Sequence, residues 1–153
     1  MSADCSVHWG GILVSACIFH DVNPGQRDRK LFEIVEYAYN QRARVLIYAP
    51  NEARAAVIDR FLWILRQESF MPHKIFLKDE PDPAVPIAIV TAEINPVDGS
   101  VLIADGHCSL EFAVGFETIH EFVDRSSAEM QESCRVRFRE YRDRKIPVEH
   151  VKE

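Results

Sequence analysis

The stretch "RVLIYAPNEARAAVIDRFLWIL", Arg44–Leu65, decides the fold class. "RVLIYA" is a continuous apolar run between polar residues, the pattern of a strand covered on both faces. "PNE" then opens a helix, with Asn51 placed to cap it. Upstream, Leu31, Ile34, Val35, Ala38 and Tyr39 share one face of a helix from about Asp28 to Arg42. Before that, "ILVSACIF" (Ile12–Phe19) has strand character and ends in the turn cluster "HDVNPG". Strand, helix, strand, helix at this spacing predicts right-handed parallel crossovers.

Downstream the pattern continues. "PIAIVTA" and "SVLIAD" read as two further strands separated by the turn "NPVDG". A short apolar segment follows near Leu110–Phe116, then a fifth strand near Thr118–Val123 and a long helix from about Ser126 to Arg144. Residues from about 146 to 153 read as a tail. The prediction is one α/β domain over residues 1–153, with a mainly parallel five-stranded sheet.

Composition bounds the function. The 153 residues are 47% hydrophobic and 27% charged, enough apolar material for one packed core. A net charge of −6 argues against a surface that wraps nucleic acid broadly. The four cysteines (Cys5, Cys17, Cys108, Cys134) have no paired spacing, which points to a reducing, cytoplasmic setting. "GGILVSACIF" lacks a basic leader and a cleavage site and reads as a strand, not a signal peptide. No apolar segment approaches the roughly 20 residues that a membrane span needs.

Two stretches ask for a partner. The first is "FLWILRQESFMPH", Phe61–His73. On a helical wheel Ala53, Val57, Ile58, Phe61, Ile64 and Leu65 form one broad stripe, taken as the core face. Trp63 projects about 200° from its centre. Phe70 and Met71 lie just past the helix end, where Pro72 fixes the backbone. Either the following segment folds back to cover Trp63, or Trp63, Phe70, Met71 and His73 form an exposed aromatic patch of the kind that marks an interface. The wheel favours the patch.

The second stretch is "CRVRFREYRDRK", Cys134–Lys145, with six Lys and Arg against two acids in an otherwise acidic chain. Met130, Cys134, Phe138 and Tyr141 make its core stripe. Gln131, Arg135, Arg139 and Arg142 form a polar row beside it, with the edge of Phe138 alongside. Arg137 points into the stripe and must pair with a carboxylate or snorkel outward. Basic residues at a helix C-terminus can simply complement the dipole. The row also suits an anion site, guanidinium forks beside an apolar notch that takes a peptide carboxylate or acidic side chains. A patch this size would bind DNA at most weakly.

Catalytic motifs are absent. The first strand–turn has no GK[ST], no strand is followed by GxGxxG, and neither GxSxG nor HExxH occurs. No cofactor or metal is implied. "GHCSLE" offers Cys108 with His107 or His120 as base, the core of an alternative reading as a small α/β enzyme or nucleotide binder that also uses the C-terminal arginines.

The two stretches converge on one resemblance. "RVLIYAPNEARAAVIDRFLWILRQESFMPH" resembles the chi subunit of bacterial DNA polymerase III, through Arg44, Val45 and Leu46, then Asp59, Leu62 and Trp63, then Ser69, Phe70, Pro72 and His73. "RVRFREYRDRKIPVEH" is similar to that family's C-terminal motif, through Arg135, Arg137, Phe138, Tyr141 and Arg142. The likeness runs from about Arg44 to His150 in order and spacing.

The resemblance implies a non-catalytic accessory protein of the clamp-loader assembly, Rossmann-like in fold and without a nucleotide site. It implies docking of the acidic, phenylalanine-terminated tail of single-stranded-DNA-binding protein. That site would be Arg135 and Arg139, with Phe138 and Val123 as the notch and Gln131 and Arg142 beside them. A separate surface, Trp63 with Phe70, Met71 and His73, would hold the psi subunit or a competing helicase-type partner. Gln131 stands where a well-known member carries lysine, which implies a softer tail contact. A cytoplasmic, nucleoid-associated replisome location follows from the same resemblance.

Overall fold

The computed structural model describes residues 7–9, 12–65 and 71–152. A short antiparallel pair, β1 (Val7–Trp9) and β2 (Ile12–Val14), precedes the main sheet. Next come β3 (Ala16–Asp21), α1 (Arg27–Asn40), β4 (Val45–Tyr48), α2 (Glu52–Leu65) and β5 (His73–Ile75). The chain continues through β6 (Ile87–Val90), β7 (Val101–Ala104), α3 (Leu110–Ala113), β8 (Thr118–Phe122), α4 (Ala128–Asp143) and β9 (Val148–Lys152).

The sheet is seven-stranded, in the order β5-β6-β4-β7-β8-β3-β9, and every pairing is parallel. Five strands were expected, and the two additions are the edges. β5 is three residues after Pro72, too short to show an alternation. β9 occupies the segment expected as a tail, "VEHVK", whose charges suit an edge strand and hide its period. The expected first strand, Ile12–Phe19, divides at Ser15 between β2 and β3. Ser15 turns its hydroxyl to the carbonyls of Val114 and Phe116, fixing the entry into the sheet.

Helices cover both faces, which is why the central strands are apolar throughout. One face packs α1 (Leu31, Val35, Ala38) and α2 (Ala55, Ile58, Leu62) on Val45, Ile47, Ile89 and Ile103. The other packs α3 and α4 on Phe19, Leu46, Leu102 and Ile119. The connection from β6 to β7 crosses this second face over β4. Arg44 pins it, donating from Nε to Val97 O (2.5 Å), and also holds the β5–β6 connection, donating from Nη2 to Pro83 O (2.7 Å) and Val85 O (2.9 Å).

The core face expected for α2 is corrected. Ala55, Ile58 and Leu62 are buried, whereas Val57 is 50% and Ile64 55% exposed. The helix is apolar nearly all round, so periodicity alone does not fix its rotation. Arg54 fixes it, because its guanidinium must reach Asp105 at the end of β7 (2.8 Å and 2.9 Å). Asn51 caps the helix as expected, its Oδ1 accepting from Arg54 N at 2.8 Å. Among the described residues, no helix is long and apolar enough to cross a membrane.

Candidate functional site

α4 begins where Ser127 accepts a hydrogen bond from Met130 N (3.1 Å) through its hydroxyl. It is anchored underneath by Arg137. That side chain donates to both oxygens of Glu121 (Nε 3.1 Å, Nη2 2.5 Å) and from Nη1 to Cys108 O (2.7 Å), and Tyr141 donates to Glu121 Oε2 (2.7 Å). Glu121 is fully buried on β8, so Arg137 finds the carboxylate that its place in the stripe demanded. The network sets the rotation of α4 and turns its arginine row toward the β3–β9 edge.

There a cleft of about 770 Å³ opens, lined by Val123, Gln131, Arg135, Phe138, Arg139 and Arg142 among others. All six residues expected for the tail site are therefore brought together. Its floor is aromatic: Phe138 packs on Phe19 with ring centroids 5.3 Å apart, and Phe19 on Tyr141 at 6.0 Å. Arg135 has only a loose contact with Glu132 (3.5 Å), both side chains well exposed, which adds little. Among the described residues, Arg139 and Arg142 have no carboxylate within ion-pair distance. Four arginines thus face the cleft against Asp143 in its lining and Asp21 beneath, in a chain of net charge −6.

Sequence reasoning missed the far wall. Arg125 lies in the turn between β8 and α4, where no periodicity flags it, and His150 lies in the segment expected as a tail. Both are held on Asp21. Arg125 chiefly, with His150, holds the Asp21 carboxyl below its usual range. Past Phe138 and Arg142 the cleft continues into a second hollow of about 510 Å³ lined by Lys145, Ile146, Pro147 and Val148.

The residues of the second expected surface separate. Trp63 is 47% exposed, but Met71 is only 4% exposed and belongs to the core. The His73 side chain is 1% exposed, bonded to Met71 O (2.7 Å) and close to Asp59, with its ring 4.6 Å from that of Trp63. Met71 and His73 are thus supports under Trp63, not surface. Pro72 explains the reversal, since it turns the chain straight into β5 beside α2. Phe70 lies outside the described residues. Val57, Ile64 and Leu65, which the wheel had placed in the core, are also exposed on α2, but they lie around the helix from Trp63.

The alternative nucleophile does not assemble. Cys108 is buried, its thiol pushed up to about 11 by burial and by Glu121, so it stays protonated at neutral pH. His107 is exposed and contacts Ser133 Oγ (3.3 Å). His120 stacks on His20 (ring nitrogens 2.9 Å apart) and is pushed down to about 3, chiefly by burial. The hollow at the C-terminal ends of β3, β4, β7 and β8, about 580 Å³, does not include Cys108 in its lining. Its cations are already spent. Arg27 and Arg54 both bond Asp105, whose side chain is 1% exposed, and Arg54 also bonds Asp28 (2.6 Å). Gly106 lets the β7 loop close on the β4 loop, where a Cβ would meet Pro50 at 2.9 Å.

Comparison with known proteins identifies the family. The family model described as "DNA polymerase III chi subunit, HolC" matches residues 15–149. The protein named DNA polymerase III subunit chi from Pseudomonas aeruginosa is 27% identical over 135 residues, covering 86% of this chain and 90% of its own length. The match runs from just before β3 into the start of β9 and includes α4, and the chain belongs to the DNA polymerase III chi subunit family, whose members are accessory subunits of that polymerase.

Proposed function

We propose that the chain is a non-catalytic linker of the clamp-loader assembly that docks the acidic C-terminal tail of single-stranded-DNA-binding protein in the α4 cleft. The observation that carries this reading is the pairing of Arg135, Arg139 and Arg142 with an apolar floor of Phe138, Val123 and Phe19. A tail ending in phenylalanine needs both, guanidinium donors for its carboxylates and an aromatic seat for its last ring. Gln131, at the N-terminal end of the row, contributes hydrogen bonds but no charge.

A second surface, centred on Trp63 of α2, takes the psi subunit, with a helicase-type partner competing for it. Its support is a half-exposed tryptophan seated on the buried His73 ring. The working site is the cytoplasmic replisome at the nucleoid, with direct DNA contact weak at most and no cofactor.

A single tail should bind in the micromolar range, about −8 kcal/mol. Many tails on a coated strand raise the effective affinity through local concentration. The test is fluorescence anisotropy with a labelled peptide copying the host protein's tail. Saturable binding is expected, lost when the final phenylalanine is removed and in Arg135→Ala. Absence of binding at high protein concentration refutes the tail site.

A further inference from the structure

The cleft has a corner built from three separate elements. Asp21 ends β3, Arg125 sits in the turn before α4, and His150 lies on β9. Arg125 donates to Asp21 from Nε (3.2 Å) and Nη2 (2.5 Å), and His150 Nε2 lies 3.1 Å from Asp21 Oδ2. The Asp21 side chain is 7% exposed, whereas those of Arg125 and His150 are 51% and 45% exposed. Asp21 is therefore a buried anchor, and the two side chains held on it face the cleft that they line. Arg125 spends only part of its five-donor fork on the anchor, so Nη1 remains for a ligand.

The corner lines the same cleft as Phe19, Phe138 and the α4 row. A peptide lying extended over that floor advances about 3.3 Å per residue and turns alternate side chains to opposite sides. With its terminal carboxylate on one wall, an acidic side chain two or more residues upstream reaches the other. Building on the tail reading, we infer that the Arg125–Asp21–His150 corner is a second carboxylate-reading position of the cleft. It takes an acidic side chain upstream of the tail's last residue, on Arg125 with the His150 ring beside it.

The experiment compares two labelled acidic peptides, each ending in a free-carboxylate phenylalanine and differing by one upstream Asp→Asn. Wild-type protein should bind the Asn peptide about fivefold more weakly. In Arg125→Gln that ratio should fall below about twofold, and His150→Gln, which removes the other side chain held on Asp21, should lower it as well. An unchanged Asp/Asn ratio in Arg125→Gln overturns the corner while leaving the tail site standing. Failure of the wild-type protein to bind either peptide overturns both. Should Arg125→Gln not fold, the peptide pair on wild-type and Arg125→Lys protein decides the question, a ratio near one in wild type refuting the corner.

Discussion

Removing the Arg137 guanidinium should be among the most costly single changes to this chain. Arg137→Met keeps the aliphatic stem but leaves the Glu121 carboxylate, fully buried, with the Tyr141 hydroxyl as its remaining donor. Breaking a buried pair from one side costs about 3–5 kcal/mol, because the surviving charge has no water to turn to. Cys108 O loses its donor as well. Adding Glu121→Leu removes the stranded charge. What then remains is an unpaired Tyr141 hydroxyl and an unpaired carbonyl, each costing about 1–3 kcal/mol at most. The double variant should therefore be no less stable than Arg137→Met, with a coupling energy of about 2 kcal/mol or more. Urea unfolding of wild type, both single variants and the double variant gives the cycle, provided m stays constant. A cost below about 1 kcal/mol for Arg137→Met would refute the argument that this network seats α4. The two changes simply adding would refute the coupling.

Two further outcomes follow from burial. Trp63→Ala should cost about 1 kcal/mol or less of stability yet abolish co-purification with the second partner, whereas Leu62→Ala, one residue away in the core, should cost about 2–5 kcal/mol. Retained co-purification in Trp63→Ala would rule out the α2 surface. Brief iodoacetamide treatment of native protein should leave Cys17, Cys108 and Cys134 unmodified until denaturant is added, as judged by peptide mapping, since all three are buried. Rapid native alkylation of Cys108 would revive the nucleophile reading.

The legible part of the fold was the part with unambiguous patterns. Continuous apolar runs announced β4, β6 and β7 because strands buried on both faces need nothing polar. α4 declared its own orientation, since Cys134 and Tyr141 are its apolar core residues among many charges, and the row beside them fell into the cleft. α2 did not, because with Ala53, Ala56, Val57 and Ile64 on one side and Ala55, Ile58 and Leu62 on the other, either face could be the core. Only the long-range ion pair from Arg54 to Asp105 distinguishes them, and no local spacing encodes it. For the same reason Arg125 and His150 were invisible: what recruits them is Asp21, more than 100 residues from each.

The closed crevice and the two peripheral surfaces belong to one physical arrangement. In doubly wound sheets the ligand normally sits beyond the carboxyl ends of the strands, where connections leave to opposite faces. Here that place holds Asp105 and Asp28 with Arg27 and Arg54, two carboxylates against two guanidinium groups, so the cluster is internally neutralised. On the proposed reading, binding falls to the outer surfaces of the helices. α2 belongs to one face of the sheet and α4 to the other. A helix–sheet–helix sandwich therefore lies between the Trp63 surface and the arginine cleft. Two partners seated there neither collide nor compete, and neither needs the sheet to move. For a protein proposed to hold a polymerase assembly on one side and a coated strand on the other, a rigid spacer with opposed contacts suffices. Arg137→Met should then impair the tail cleft, which α4 carries, before it affects the α2 surface.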